Sequence, residues 1–242
     1  MNPPVLPADV LGRLVATDAT RPRLTWYDDE PGPTSGERIE LSARVLANWV
    51  AKAANLLQDD LSAEPGTTVG LDLPTHWRAV YWALAAWSVG AEVVVGEAAT
   101  GADVLVTASP EAAAAHGGDA VLVALPALAR SHPRAGDASA AVDEARELAT
   151  HGDLFVPLAD PEPSDVALAT ASGSLTYGEV VVPDDAWGRQ PRVAVRGPLD
   201  VVLGRCLAAW AADGSVVLER GPGGPSVPTR YASEGVTVDA TA

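Results

Sequence analysis

Residues 41–96 read LSARVLANWVAKAANLLQDDLSAEPGTTVGLDLPTHWRAVYWALAAWSVGAEVVVG, in which two helical patterns flank a short extended one. The first helical pattern places apolar side chains at positions 41, 45, 46, 49, 50, 53, 56 and 57, the spacing of one buried face. Ser42 stands where it can cap the start of this helix. After a turn at 64–66, residues 68–73 are β-branched at their start and predict a strand that leads into the second helix.

The second helical pattern covers residues 75–89, with Thr75 as its predicted N-cap and Gly90 as its predicted end. Large side chains fall on one stripe of this helix: Trp77, Val80, Tyr81, Leu84 and Trp87. A stripe at helical spacing is more often part of a core than a surface that stacks on a ligand. We therefore predict that this helix is buried.

The rest of the chain continues to alternate extended and helical patterns. Strands are predicted at 91–95, 103–107, 120–124, 165–170, 192–195, 215–219 and 236–238, and helices after Ser109 and over 199–212. This order predicts an α/β fold with a mostly parallel sheet flanked by helices. We assign residues 1–242 to a single domain, with a connector near 125–163 and a turn-rich tail after 220. The connector is expected to contain a solvent-facing helix at 139–150.

The composition excludes several classes of function. The formal net charge is −16, from 32 acidic and 16 basic residues, so we expect neither a nucleic acid nor a membrane surface as a partner. One cysteine, Cys206, excludes an internal disulfide and is expected to be a buried thiol. The four histidines are not spaced as metal ligands, and Asp28–Asp29–Glu30 is expected to be a solvated turn. The N-terminus has no signal-peptide pattern, so we expect a cytoplasmic protein.

Residues 165–180 read DVALATASGSLTYGEV, an apolar strand followed by a loop of serine, glycine and threonine. Glycine lets the backbone approach an anion closely, and hydroxyl groups can donate hydrogen bonds to phosphate oxygens. A second extended run is predicted at 178–182. No lysine or arginine lies between positions 164 and 187, and the only lysine of the chain is Lys52. The loop therefore has the shape of a phosphate-binding loop without its cation.

Three passages resemble the N-terminal part of the adenylate-forming superfamily, which includes acyl-CoA synthetases and adenylation domains. The passages are residues 41–96, the strand and loop that follow PSDVAL, and residues 198–218. The resemblance implies the fold of the N-terminal subdomain of acyl-CoA synthetases. It also implies a truncated chain, since the family's adenine and ribose contacts, its magnesium-binding acid and its C-terminal catalytic lysine would fall beyond residue 242.

The resemblance also assigns the residues of the loop. In the family, the motif T-S-G-T-T-G-x-P-K-G surrounds the β- and γ-phosphates of ATP. Ser172, Gly173 and Ser174 match this motif, Thr176 stands where the motif has glycine but offers a hydroxyl group, and Glu179 stands at the position of the lysine. A unit charge at about 4 Å contributes roughly 4 kcal/mol at an effective dielectric constant near 20, so a reversed charge is expected to weaken ATP or AMP binding with Mg²⁺ severely.

Three hypotheses follow. The first is a non-catalytic homologue that acts as a binding or interaction module. The second is an adenylate-forming enzyme completed in trans by self-association or by a separate chain. The third is a weak binder of a nucleotide, an acyl-adenylate or a CoA-like ligand through the loop residues. Either a homodimer or a protein partner is expected to cover the edge left by the truncation, or polar residues are expected to replace apolar ones there.

Overall fold

The computed structural model describes residues 4–224 and 226–241, which form twelve strands and seven α-helices. The strands are β1 (Pro22–Asp28), β2 (Arg38–Ser42), β3 (Thr68–Asp72), β4 (Glu92–Val95), β5 (Val104–Thr107), β6 (Asp119–Leu122), β7 (Val142–Asp143), β8 (Val166–Thr170), β9 (Gly173–Thr176), β10 (Arg192–Val195), β11 (Ser215–Arg220) and β12 (Val238–Ala240). The helices are α1 (Pro7–Asp18), α2 (Ala43–Asn55), α3 (Trp77–Ser88), α4 (Pro110–Ala115), α5 (Glu144–Glu147), α6 (Leu199–Ala211) and α7 (Val227–Glu234).

Five short helical turns complete the described structure. A π-helical turn at Leu56–Asp60 continues α2, and 3₁₀ turns lie at Glu97–Gly101, Ala135–Ala138, Leu148–Thr150 and Asp185–Trp187.

The strands form two sheets. The large sheet has the order β7-β6-β5-β3-β4-β8-β9, and its neighbours are parallel except for the antiparallel pair β8–β9. The small sheet has the order β12-β10-β11-β1-β2, and only its β1–β2 pair is antiparallel. The predicted α/β class with mostly parallel strands and flanking helices is confirmed.

Helices α3 and α6 lie between the two sheets. Helix α3 packs on β3 and β4, helix α6 packs on β10 and β11, and the two helices contact each other. Every residue of α3 except Ser88 is buried, including the predicted stripe, so this helix is core on all its faces. The prediction of a buried helix is confirmed. Cys206 of α6 is also buried, as expected, and burial raises the pKa of its thiol to about 12.

Two predicted helix boundaries are confirmed and one predicted cap is wrong. Ser42 caps α2 by accepting a hydrogen bond from the Val45 amide at 3.3 Å, and Gly90 follows α3 with φ +82°. The cap of α3 is His76 rather than Thr75, since the His76 Nδ1 accepts from the Arg78 amide at 3.1 Å. The Thr75 hydroxyl instead donates to the carbonyl of Gly197 at 2.7 Å and ties the start of α3 to the loop before α6.

The connection from β4 to β5 runs close against the middle of β3. A Cβ atom placed on Gly70 would lie 1.9 Å from the carbonyl oxygen of Ala99, so the 3₁₀ turn at Glu97–Gly101 packs where only glycine leaves room. This close packing lets a short connection join β4 to β5 across β3.

Two sequence predictions in the second half of the chain are wrong. The solvent-facing helix expected at 139–150 is a short strand, the four-residue α5 and a 3₁₀ turn, with Glu144 and Leu148 buried. Glu144 is drawn into the core because Arg78 lies there to pair with it. The extended run expected at 178–182 is a turn, since the amides of Glu179 and Val180 both donate to the carbonyl of Thr176.

The turn expected at 28–30 is part of an ion-pair network rather than a solvated loop. Asp28 is buried and pairs with Arg220 at 3.3 Å. Asp29 accepts two hydrogen bonds from Arg230 of α7, both at 2.8 Å. Asp28 and Asp29 are thus bound to arginines of β11 and α7.

Helix α7 has no buried residue and is held to the small sheet by charge. Besides its contact with Asp29, Arg230 pairs at 2.7 Å with Glu219, which is buried at the end of β11. At the other end of the helix, Glu234 pairs with Arg38 at 2.9 Å and with Arg192. The predicted turn-rich tail after 220 therefore contains an ordered helix, while Pro225 lies outside the described residues. No helix among residues 4–224 and 226–241 is long and apolar enough to cross a bilayer.

Candidate functional site

The residues predicted to bind phosphate lie on a tight hairpin between β8 and β9. Thr170 pairs with Gly173, so the turn itself consists of Ala171 and Ser172. Gly173 has φ +138°, a value that glycine adopts without strain. The loop expected over residues 171–177 is therefore a two-residue turn followed by a strand, which leaves little backbone free to surround an anion.

The polar groups at the tip of this hairpin bond to one another. The Ser172 amide donates to the Thr170 hydroxyl oxygen at 3.1 Å, and the hydroxyl groups of these two residues lie 2.8 Å apart. The Thr170 hydroxyl also donates to the carbonyl of Gly173 at 3.0 Å. The backbone of the tip is thus stabilised by its own side chains. The side chain of Ser174 is exposed on β9.

Glu179 and Thr176 lie at the other end of the hairpin. The carboxylate of Glu179 accepts from the amide of Thr176 at 3.0 Å and from its hydroxyl group at 2.9 Å. These two bonds lower the pKa of the Glu179 carboxyl below its ordinary value. The Thr176 hydroxyl group, which the sequence analysis expected to face a phosphate, is engaged by Glu179.

The five predicted site residues therefore lie along the same hairpin, but they are not all close to one another. Ser172 and Gly173 lie at the carboxyl edge of the large sheet, whereas Thr176 pairs with Val166 at the opposite edge. A strand rises about 3.3 Å per residue, so the five-residue β8 separates the two ends by about 13 Å. A single phosphate group cannot contact both Ser172 and Glu179.

A cleft of about 530 Å³ opens beside the tip of the hairpin. It lies at the carboxyl ends of β3, β4 and β8 and is closed by the start of α6. Its lining residues are Leu71, Asp72, Leu73, Val95, Gly96, Glu97, Thr100, Thr170, Ala171, Pro198, Leu199 and Asp200. After β3 the chain continues to β4, toward one edge of the sheet, and after β5 it continues to β6, toward the other edge. Ligands of open α/β sheets bind at the carboxyl ends of the strands beside such a reversal of strand order.

The charge of this cleft is acidic. Three of its lining residues are carboxylates, Asp72, Glu97 and Asp200, and none of the described residues that line it is a lysine or arginine. Asp72 accepts a hydrogen bond from the Thr107 hydroxyl at 2.7 Å. Asp200 lies in the first turn of α6, where its negative charge faces the positive end of the helix dipole. The cleft thus carries a charge that opposes polyphosphate.

Sequence reasoning missed a buried ion pair near the connector. The Arg78 Nη1 lies 2.9 Å from the Glu144 Oε1, and both side chains are buried. One signal was present in the sequence, since Arg78 is the only charged residue of α3, which the sequence predicts to be buried. A buried arginine requires a carboxylate, but only the tertiary structure identifies Glu144 as that partner.

Comparison with known proteins identifies one relative and several structures of similar fold. No protein-family model matches the chain. A protein of Mycobacterium tuberculosis (strain ATCC 25618 / H37Rv), described as "TIGR03089 family protein", is 32% identical over 255 residues, which cover 98% of each chain.

Solved structures match at lower identity. The N-terminal domain of FACL13 from Mycobacterium tuberculosis has a TM-score of 0.69 at 14% identity, over 97% of this chain and 62% of that one. The acyl-CoA synthetase of Brucella canis has a TM-score of 0.71 at 18% identity, over 99% and 48%. For NpsA-ThdA, an artificially fused adenylation–PCP di-domain from Klebsiella oxytoca, the TM-score is 0.68 at 14% identity, over 98% and 43%.

These likenesses concern the fold alone, because the identities are low. The chain spans 43 to 62% of the three solved structures, whereas it spans 98% of the relative from Mycobacterium tuberculosis. The expected fold, that of the N-terminal part of adenylate-forming enzymes, is confirmed.

Proposed function

This chain belongs to the TIGR03089 family, and from that premise we propose that it is a non-catalytic member of the adenylate-forming fold that serves as a binding or interaction module. The proposal depends chiefly on the charge of the cleft beside the β8–β9 hairpin. Asp72, Glu97 and Asp200 line it, and none of the described residues that line it is a lysine or arginine.

Electrostatics make polyphosphate binding unfavourable in this cleft. Two like charges at about 4 Å repel by roughly 1 kcal/mol in water and by roughly 4 kcal/mol at an effective dielectric constant of 20. Micromolar affinity corresponds to only about 8 kcal/mol in total. Several carboxylates close to a triphosphate would therefore cancel most of the free energy of binding. Transfer of an adenylate group needs that triphosphate held in place.

An exposed apolar ridge supports the interaction role. We give the name 154–158 ridge to Leu154, Val156 and Leu158, which alternate along a segment without regular secondary structure and are 87%, 76% and 85% exposed. Three large exposed aliphatic side chains within five residues form a larger apolar surface than single exposed residues do.

The 154–158 ridge is held rigidly on the end of α2. The Asn55 Nδ2 donates to the carbonyls of Gly152 and Leu154, both at 3.0 Å. The Gln58 side chain accepts from the Leu158 amide at 3.0 Å and donates to the carbonyl of Val156 at 3.3 Å. A surface that is already ordered loses less conformational entropy when a partner binds.

The charges around the ridge indicate what kind of partner fits. The acidic residues nearest to it in the chain or on the supporting turn are exposed: Asp59, Asp60, Asp153 and Asp160. A second copy would bring the same acidic groups against these, which is unfavourable. We therefore propose a protein partner that presents an apolar segment flanked by lysine or arginine.

The catalytic question is tested by pyrophosphate exchange. The purified chain is assayed for ATP–pyrophosphate exchange with a panel of carboxylic acids, and Mg-ATP binding is followed by calorimetry. We expect neither exchange nor heat. The double variant Glu97→Gln with Asp200→Asn removes two charges from the cleft, and Glu162→Gln with Asp137→Asn removes two charges elsewhere as a matched control. If the carboxylates exclude the nucleotide, only the first variant gains affinity.

The outcomes separate the competing functions. Exchange by the purified chain alone would overturn the proposal. An enzyme completed in trans would show exchange only after a second chain is added or at concentrations where the protein self-associates. Heat of binding without exchange would identify a weak nucleotide binder, and competition by an acyl-adenylate mimic would then define its ligand.

A further inference from the structure

A cavity of about 480 Å³ opens beside the 154–158 ridge and shares no lining residue with the acidic cleft. The ridge segment supplies one wall through Phe155 and Pro157, and the first turn of α1 supplies another through Ala8 and Asp9. The volume lies within the roughly 300–1,000 Å³ typical of small-molecule sites, so there is room for one side chain of a partner. We call this space the α1 cavity.

The interior of the α1 cavity is apolar. Its apolar walls are formed by Leu6, Phe155, Pro157 and Pro161. Trp87, Ser88 and Tyr177 also line it, but each of these side chains donates its hydrogen bond to a backbone carbonyl, at 2.7, 2.8 and 2.8 Å. These three donors are thus engaged within the fold, and the interior offers a ligand mainly apolar contact.

The mouth of the α1 cavity is negatively charged. Asp9 and Asp160 line it and are exposed, whereas none of the described residues that line it is a lysine or arginine. Asp9 accepts from the amide of Leu6 at 3.0 Å, so its charge offsets the positive end of the α1 dipole. The Asp160 carboxylate has no hydrogen bond or ion pair with another of the described residues. The cavity therefore favours a cation and opposes an anion.

Apolar walls below a charged mouth fit one kind of side chain. Lysine and arginine lay their methylene stems along apolar surface while the charged end stays in water. Of the two, arginine has a planar guanidinium that stacks on aromatic rings and pairs with carboxylates through two hydrogen bonds. Phe155 is half-buried in the wall and Asp160 is exposed at the mouth, so both partners of a guanidinium are present.

We propose that the α1 cavity receives an arginine side chain from the partner segment that covers the 154–158 ridge. The stem of the arginine lies along Phe155 and Pro157, and its guanidinium pairs with Asp160, with support from the charge of Asp9. Phe155 and Pro157 alternate in sequence with the ridge residues, so apolar residues next to the arginine in the partner reach the ridge at the same time. This inference rests on the proposed interaction role and names the residue that anchors the partner.

Three pentapeptides test the two parts of this anchor: acetyl-Val-Leu-Arg-Leu-Val-amide, the same peptide with citrulline in place of arginine, and acetyl-Gly-Gly-Arg-Gly-Gly-amide. Citrulline has the shape of arginine without its charge, and the glycine peptide has the charge without apolar neighbours. Binding to the purified full chain is followed by NMR titration and calorimetry. An exposed ion pair contributes up to about a factor of five, and two carboxylates act here, so we expect the first peptide to bind at least about fivefold more tightly than either of the others.

Variants locate the effect, because the net charge of −16 attracts any cationic peptide. Asp160→Asn is expected to weaken the arginine peptide about threefold and to leave the citrulline peptide unchanged. Asp119→Asn removes the same charge at an exposed position of β6 outside the cavity, so it should change neither. Ala8→Trp fills the cavity from α1 and should abolish the preference for arginine. Ala16→Trp adds the same side chain at an exposed position of α1 outside the lining and should keep that preference.

The outcomes separate this anchor from the proposed function. Equal binding of the first peptide and either of the others, equal loss in Asp160→Asn and Asp119→Asn, or a preference for arginine that survives Ala8→Trp would overturn the inference. No binding of the first peptide would overturn it as well. ATP–pyrophosphate exchange on the same preparation decides the proposed function independently. Exchange together with selective arginine binding would overturn the non-catalytic role and keep the anchor, whereas absence of exchange with equal peptide binding would overturn the anchor alone.

Discussion

Glu179 accepts hydrogen bonds from both the amide and the hydroxyl group of Thr176, at 3.0 and 2.9 Å. The carboxylate closes the turn that ends the β8–β9 hairpin, so Glu179, which the sequence resemblance aligns with a lysine, has a structural partner of its own. The local geometry here is satisfied by a hydrogen-bond acceptor at position 179.

The first prediction concerns Glu179→Lys. Restoring the family's cation is expected to leave Mg-ATP binding undetectable, because position 179 lies about 13 Å from the tip of the hairpin at the rise of an extended strand. The same change is expected to lower the urea midpoint of unfolding, since an ammonium group cannot accept from Thr176. Calorimetry and urea unfolding measure the two effects. Glu179→Gln is the control, because its amide oxygen still accepts, and tight ATP binding by Glu179→Lys would show that the hairpin opens in solution.

A second prediction tests the close packing of β3 against the 3₁₀ turn at Glu97–Gly101. Gly70→Ala puts a methyl group where the Ala99 carbonyl lies, and overpacking of a core costs about 3 kcal/mol when the backbone must shift. Gly101→Ala, at the end of the same 3₁₀ turn, meets no atom within 4 Å and serves as the control. Urea unfolding should separate the two variants by most of that free energy. Equal stability would mean that the turn can move away from β3.

Local signals in the sequence explain why α2 and α3 were predictable. Ser42 and Gly90 act on backbone within a few residues of themselves, so their roles as cap and terminator follow from residue type. The tryptophan stripe of α3 required only helical periodicity. The alternation of strands and helices then predicted the α/β class, and the resemblance to adenylate-forming enzymes predicted the fold of their N-terminal subdomain.

Features that depend on distant partners were not predictable. Leu24 of β1 pairs with Val216 of β11, so the division into two sheets rests on contacts between opposite ends of the chain. Glu144 is buried because it pairs with Arg78, which is 66 residues away in sequence but adjacent in space. The loop at 171–177 is a related case. Composition suggested an open loop at 171–177, but pairing of Thr170 with Gly173 reduces it to two residues.

A third prediction concerns the attachment of α7 through Glu234. Burial disfavours the charged carboxylate, but hydrogen bonds from Tyr27, Arg38 and Arg192 outweigh it and hold the pKa of Glu234 at about 2, below its ordinary 4.5. Since the folded state binds the proton more weakly, this stabilisation is complete above pH 4.5 and is lost as the pH falls toward 2. Relative to Glu234→Gln, the native chain should be more stable by about 2 kcal/mol at pH 7, after allowance for solvent screening.

Hydrogen exchange at residues 227–234 locates this effect. Because α7 has no buried residue, Glu234→Gln is expected to speed exchange in α7 more than in β11, and high salt should do the same to the native chain. Ser233→Ala changes the neighbouring exposed residue without touching the ion pairs. An unchanged exchange pattern in Glu234→Gln, or a stability difference that does not shrink at low pH, would contradict the role of these ion pairs.

The last prediction uses the opposite shift at Glu144. Burial raises the pKa of this carboxyl from 4.5 to about 7, while the charge of Arg78 opposes the change. Between these two values the folded state holds a proton that the unfolded state has released, so the contribution to stability is full below pH 4.5 and declines as the pH rises through 7. Glu144→Gln does not titrate. The stability of the native chain relative to Glu144→Gln should therefore fall by up to about 3 kcal/mol between pH 4.5 and 7. Urea unfolding at half-unit pH steps measures this difference, and a difference that rises over that range would show that the Arg78 charge, rather than burial, controls the ionisation of Glu144.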